Sequence, residues 1–249
     1  MTDSDKNGVA PHPVLTDYYE SADKRREKVD EMFDSSAEHY DWICNMMSFG
    51  SGEMYRHQAL VRGGLKSGMA LLDVGAGTGV VSLLAQKIVG DDGVVIALDP
   101  SKGMLSEAQK SGVKHASQGL GEALPFPDNS FDMLTMGFAL RHVADLSAAF
   151  EEYKRVLKPG GKVLILEISR PRSTIATWAL KVYMKGFVPL VTRFLRRSAD
   201  AQKLMEYYWD TIEHCVPPAT IVSALSSVGF SSPKRHAVMG IFSEYTGIK

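Results

Sequence analysis

Asp73-Val74-Gly75-Ala76-Gly77-Thr78-Gly79 is the stretch that decides the architecture of this chain. An apolar run, Ala70-Leu71-Leu72, leads into it, and a helix-like apolar stretch, Val80 to Val89, leads out. Further on, Val94-Val95-Ile96-Ala97-Leu98 ends on Asp99. The order predicts a strand, a glycine turn, a helix and a second strand ending in a carboxylate, which is half of a nucleotide-binding α/β sheet. Glycine lets the backbone turn tightly and approach a ligand, because no Cβ stands in the way. A carboxylate closing the second strand can accept hydrogen bonds from both hydroxyls of a ribose.

The spacing of the glycines separates one class of nucleoside from another. A dinucleotide fingerprint reads Gly-x-Gly-x-x-Gly. Begun at Gly75 it puts Val80 in the last slot, and begun at Gly77 it puts Ser82 there. The pattern present is acid-x-Gly-x-Gly-x-Gly, led by Asp73. A carboxylate at the mouth of the turn repels a pyrophosphate and attracts a sulfonium with an α-ammonium group. The predicted cofactor is S-adenosylmethionine, and no metal is called for.

The chain has 249 residues, 45% hydrophobic and 23% charged, an ordinary composition for a globular α/β domain with additional helices. A net charge of −1 supplies no basic field for nucleic acid. Cys44 and Cys215 have neither metal-ligand nor disulfide spacing, as expected of a reducing cytoplasm. Residues 1–16 are polar, carry Gly8, Pro11 and Pro13, and are expected to form a loose tail. No apolar run is long enough to span a bilayer.

Residues 17–66 read as a helical cap, with Val29, Met32 and Phe33 at amphipathic spacing and a break at Ser48-Phe49-Gly50-Ser51-Gly52. Residues 67–249 read as the core. Strands over 70–74, 94–99, 114–118, 131–136 and Val163-Leu166 alternate with helices over 79–89, 101–110 and Leu146–Leu157, the last stopped by Lys158-Pro159-Gly160-Gly161. This alternation predicts a doubly wound, mostly parallel sheet. Residues 170–216 break the rhythm and are expected to be a helical insertion. A helix over 218–228 and two antiparallel edge strands, near 230–236 and 239–245, complete seven strands.

Several strings together resemble one family. Tyr40-Asp41, Met47-Ser48-Phe49-Gly50, the glycine turn, Glu122 to Asp132, Leu140-Arg141 and Arg155 to Gly161 followed by Leu166-Glu167 are similar to the ubiquinone/menaquinone biosynthesis C-methyltransferases. The resemblance runs from about Val29 to the C-terminus. It implies a Rossmann-like class I methyltransferase fold and methyl transfer to a ring carbon of a polyprenylated quinol or phenol. A diverged relative that O- or C-methylates a small phenolic or polyketide metabolite is the alternative.

Carried over by that resemblance, Asp73, Gly75, Gly77 and Thr78 line the methionine end, with Ala76 inside the same turn. Asp99, followed by Pro100, takes the ribose and Met104 the adenine face. Leu120, Gly121 and Glu122 edge the adenine, and Met136 with Gly137 floors the methyl. Thr78 also reads as a helix-start residue and Met104 as helix core.

Arg141 and His142 follow the fourth strand, where the family has Arg-Asn. Arg141 can hold a phenolate, and a histidine titrating near neutrality can serve as general base. Tyr40 is the third catalytic candidate, with the alternative of an aromatic anchor for the cap. Departures from the family pattern include Leu120 at a usually polar position and Cys44 for asparagine. Trp178, Tyr183, Phe187 and Phe194, interleaved with Lys181, Lys185, Arg193, Arg196 and Arg197, leave open peripheral contact with a membrane, a lid or a homodimer surface.

Overall fold

The computed structural model describes residues 8–47, 50–171, 173–188, 190 and 199–249. Part of the expected tail, Ser48-Phe49 of the family string, and Arg193, Phe194, Arg196 and Arg197 of the insertion lie outside the described residues. A long helix, α1 (Ala22–Met47), and α2 (Gly52–Gly63) precede the sheet. Then come β1 (Ala70–Val74), α3 (Val80–Val89), β2 (Val94–Asp99), α4 (Lys102–Lys110), β3 (His115–Gln118) and β4 (Phe131–Gly137). A 3₁₀ turn at Leu140–His142 leads into α5 (Leu146–Val156) and β5 (Leu157–Ile168). The chain continues through α6 (Thr174–Val182), a π turn (Tyr183–Phe187), α7 (Ala199–His214), α8 (Pro218–Ser227), β6 (Ser231–Val238) and β7 (Phe242–Ile248).

The seven strands lie in the order β3-β2-β1-β4-β5-β7-β6. β1 pairs in parallel with β2 on one side and β4 on the other, so successive crossovers run in opposite directions from it. That reversal opens a crevice beyond the carboxyl ends of β1 and β4, where such sheets bind ligands. Only β7 runs against its neighbours, antiparallel to β5 and to β6.

Side-chain alternation sorts the strand residues between two layers. Leu72, Val74, Leu98, Leu134, Met136 and Ile165 pack with Phe150 and Tyr153 of α5 and with α8. Leu71, Val95, Met133, Leu164 and Leu166 pack on the opposite face against α2 and α3. Strands buried on both faces read as unbroken apolar runs, which is how Val94–Leu98 and Val163–Leu166 appear in the sequence.

Three local features differ from expectation. Helix α5 stops at Val156, as Pro159 and the glycines require, but Lys158–Gly161 already belongs to β5, where a bulge shifts the register between Phe131 and Met133. The first helix begins at Ala22, five residues inside the cap expected from residue 17. The part of the tail from Val9 to Pro13 is packed, not loose. Val9 donates its N–H to the Asp145 carboxylate and accepts from Leu146 N–H, the Pro11 carbonyl accepts from Val216, and buried His12 meets Arg25 at 2.9 Å. Asp145 caps α5 through Ser147 at 2.8 Å and holds Val9 at 3.0 Å with the same oxygen, so one residue fastens both.

Candidate active site

The cavity at the crevice is built from four loop ends and roofed by α1. Gly75 and Gly77 follow β1, Asp99, Pro100 and Ser101 follow β2, and Leu120 to Glu122 follow β3. Met136 to Ala139, His142 and Val143 follow β4. Arg26, Val29, Asp30, Phe33 and Tyr40 of α1 and Tyr208 of α7 close it. Arg26, Val29 or Asp30, and Phe33 are three or four positions apart and Tyr40 lies seven beyond Phe33, the spacing of one helical face.

Two glycines explain why the turn has its sequence. Gly75 has φ +64°, and a Cβ there would stand 2.5 Å from the Ala139 Cβ. Gly77, at φ +56°, would project a Cβ into open space, the room the cavity keeps for a ligand. Both conformations are costly for any side chain. Beside them, Asp99 is 7% exposed and accepts from Gly77 N–H at 2.8 Å and Ser101 N–H at 2.9 Å, one bond to each oxygen. Each oxygen retains lone-pair capacity for a ribose hydroxyl. Burial pushes the Asp99 carboxyl up to about 6, and the two backbone bonds oppose that rise. Val74, Leu98, Met104 and Met136 supply an apolar wall for a flat heterocycle. These residues fit S-adenosylmethionine.

The remaining cofactor candidates, Asp73, Ala76 and Thr78, fall outside the lining. Asp73 is fully buried on the opposite face from Val74, where Ser82 Oγ donates at 2.7 Å and Thr135 Oγ1 at 2.9 Å. Strand alternation puts it under α3 rather than at the mouth of the turn. Burial raises its carboxyl to about 6 against those two bonds. Ala76 gives its N–H to the Leu98 carbonyl at 3.0 Å, and the Thr78 hydroxyl donates to the Asp41 carboxylate of α1. Both serve the turn and its anchorage.

Arg141 is a correction of the same kind. It is 0% exposed and lies behind the cavity wall, paired with Glu167 at 2.9 Å, itself 1% exposed. Its other nitrogens reach Thr211 Oγ1 at 2.6 Å and the carbonyls of Tyr208 and Phe138 at 3.3 Å. Four of its five N–H groups are engaged in joining the end of β4, β5 and α7, so it positions the wall.

His142 and Tyr40 do line the cavity. Tyr40 shares a hydrogen bond with the Tyr208 hydroxyl, and burial holds its phenol well above the ordinary range. His142 sits among Phe33, Tyr207 and Tyr208, with ring centroids at 5.1, 5.5 and 6.0 Å. Burial, then Arg141, Arg25 and His12, drive its pKa well below the ordinary value. Titration near neutrality is therefore overturned, and the ring is neutral. The aromatic wall of Phe33, Phe138 and Tyr208 was not anticipated as part of the site. Phe33 had a signal in the helical spacing; Tyr208 and Phe138 had none short of the tertiary fold.

A doubly wound sheet with a glycine-turn cavity, a ribose carboxylate and an apolar adenine wall defines an S-adenosylmethionine-dependent methyltransferase. The ubiE/COQ5 methyltransferase family model matches residues 21–249, and the chain belongs to that family. It is 30% identical over 234 residues to the ubiquinone/menaquinone biosynthesis C-methyltransferase UbiE of Hahella chejuensis, covering 91% of this chain and 93% of that protein. It is 37% identical over 194 residues to the demethylmenaquinone methyltransferase of Symbiobacterium thermophilum, covering 75% and 77%. Among solved structures, Haemonchus contortus phosphoethanolamine N-methyltransferase 2, in complex with S-adenosyl-L-methionine, superposes with TM-score 0.66 at 18% identity. That match covers 90% of this chain and 60% of the other. A possible histamine N-methyltransferase from Thermotoga maritima gives 0.63 at 20%, covering 88% and 98%. At such identities these two establish the fold.

Proposed function

We propose that this enzyme methylates a ring carbon of a hydroxylated aromatic acceptor, a quinol or phenol precursor of ubiquinone or menaquinone bearing a polyprenyl tail. The observation that carries this reading is the continuity of one cavity. A nucleoside end (Gly77, Asp99, Met104) and an aromatic end (Phe33, Tyr40, Tyr208) meet over Met136 and Gly137. The names of the relatives support the same chemistry.

Gly75, Gly77 and Asp99 would hold the cofactor, with Leu98, Met104 and Gly121 against its base. Bound there, S-adenosylmethionine supplies an electrophilic methyl group and leaves as the neutral thioether. The aromatic end stacks the acceptor ring and excludes water, and holding a ring carbon in line supplies roughly 7–11 kcal/mol of the barrier. Overall the ring gains a methyl and releases a proton. Tyr40 and Tyr208 stay protonated at neutral pH, because burial raises both phenols, and they act as hydroxyl hydrogen-bonding groups.

The test is incubation with radiolabelled methyl donor and a demethylated quinol. Label fixed to carbon supports the assignment, whereas label on an ether oxygen, with indifference to tail length, moves the acceptor to a small phenol. Among the described residues no helix is long and apolar enough to cross a membrane. The exposed row Ile175, Trp178 and Val182 supports peripheral approach to a lipid surface by an enzyme with a tailed acceptor. Burial of that row in a homodimer is the competing arrangement, and sedimentation of the lipid-free protein separates them.

A further inference from the structure

At the aromatic end of the cavity one buried polar atom has no partner. His142 Nε2 makes no hydrogen bond, while Nδ1 lies 3.1 Å from the Tyr207 hydroxyl. Leaving a buried polar group unpaired costs about 1–3 kcal/mol. The residue belongs to the same lining as Phe33, Met136 and Tyr208, so its ring borders the space assigned to the acceptor.

The surroundings favour one of the two neutral tautomers. Tyr207 also engages Arg25, whose guanidinium donates and cannot accept. The single Tyr207 hydroxyl hydrogen is then free for Nδ1. With Nδ1 accepting, the one hydrogen of the neutral imidazole sits on Nε2. The ring stays neutral because it is buried and because Arg141 beside it and Arg25 from α1 place positive charge against it, while His12 from the N-terminal segment is itself lowered to about 4. Aromatic groups cover the rest, Phe33 from α1 and Tyr207 and Tyr208 from α7.

We propose that His142 presents Nε2–H as a neutral hydrogen-bond donor to a ring oxygen of the aromatic acceptor, favouring the phenolate, and that Tyr207 and Arg25 fix this tautomer. The assignment rests on the acceptor being a hydroxylated ring. It replaces a proton-accepting role for His142: the basic nitrogen is occupied by Tyr207, and the nitrogen open to the ligand already holds a hydrogen. A neutral imidazole can polarise an oxygen without first being protonated. Two arginines behind the ring add a field that favours negative charge on that oxygen. The acceptor binds as the phenolate, its hydroxyl proton already given up to solvent, and the ionised oxygen pushes electron density onto the ring carbon that takes the methyl; the ring proton is released to solvent after transfer.

The experiment uses the full chain with isotopically labelled histidine and para-nitrophenol as the probe, in the presence of S-adenosylhomocysteine. Nitrogen chemical shifts should show His142 protonated at Nε2 and unchanged between pH 6 and 8. Tyr207→Phe should shift it toward the Nδ1–H form. Phenolate absorbance should show the bound probe about tenfold more ionised than in water, a shift of about one pKa unit. His142→Asn, which keeps an N–H donor, should retain most of that shift, and His142→Leu should abolish it. An Nδ1–H or doubly protonated ring in the wild-type chain overturns the proposal. So does a wild-type chain that takes up no probe, or a His142→Leu protein with the full shift. Should His142→Leu fail to fold, the wild-type tautomer still decides. A protein that passes these tests yet methylates no ring carbon keeps the donor and loses the transfer reaction, so the two readings fail separately.

Discussion

At the residue scale, the proposed ribose role of Asp99 predicts that cofactor binding depends on pH. Its carboxyl is raised to about 6 by burial, and the ribose hydroxyls bind the ionised form. Affinity for the cofactor should therefore be constant above about pH 6 and fall up to about tenfold per unit below it. Calorimetry across pH 5 to 8 checks this, and a flat profile would remove Asp99 from the ribose. Asp99→Ala should weaken binding by at least about 3 kcal/mol, the worth of two hydrogen bonds to a charged group. Gly75→Ala should reduce stability by about 1–3 kcal/mol, since φ +64° and the Ala139 methyl both resist a Cβ. Thermal unfolding unchanged by that substitution would contradict the reading. The lining of the nucleoside end was legible because its residues follow their own strands within a few positions. Asp73 was misassigned although the means to place it were in the sequence: Val74 adjoins Gly75, and alternation turns its neighbour the other way. Arg141 was misassigned for a different reason. Its partner Glu167 and its contacts on α7 are brought beside it only by the sheet and the helical insertion.

At the element scale, α6 is distinctive in burying none of its residues. Ile175 is 77% exposed and Trp178 66%, and Val182 continues the row at helical spacing. The π turn at Tyr183–Phe187 then widens the helix by one residue per turn. Phe187 and Leu190, at and beyond that turn, are exposed as well. Lys181 and Lys185 flank the row but are paired with Glu213 and Asp210, at 2.8 and 2.7 Å. Binding to neutral vesicles through the apolar row should therefore depend weakly on salt, and Trp178→Glu should abolish it in a flotation assay. Retained flotation would leave the row without this role. The sequence showed the mixture of apolar and basic residues. It could not show that the lysines are neutralised by α7, nor that a π turn follows α6.

At the scale of the whole molecule, the buried Arg141–Glu167 pair joins the two halves of the sheet's carboxyl edge to the helical insertion. Removing one partner strands a charge in a water-free interior. Arg141→Met should cost roughly 3–5 kcal/mol, on the order of 10 °C in Tm. The double variant Arg141→Met with Glu167→Leu should recover much of that, because neither charge is then left unpaired. A double variant no more stable than the single one would show that the pair is not the source. Strand order and layers were largely readable, since a parallel sheet writes itself as alternating apolar runs. The reach of residues 9–13 across to Asp145 and Val216 was not, because a short polar segment with two prolines carries no periodicity to reveal where it docks.

Helix α1 is fastened at two points that belong to the donor side: Asp34 takes Ser101 Oγ and Gly103 N–H, and Asp41 takes the Thr78 hydroxyl. The same rod carries Phe33 and Tyr40 on the acceptor side. Whatever settles the loops beneath Asp34 and Asp41 also settles the ceiling over the ring, so the two substrates of one turnover are thermodynamically coupled. Occupancy by either must change the other's affinity by the same factor.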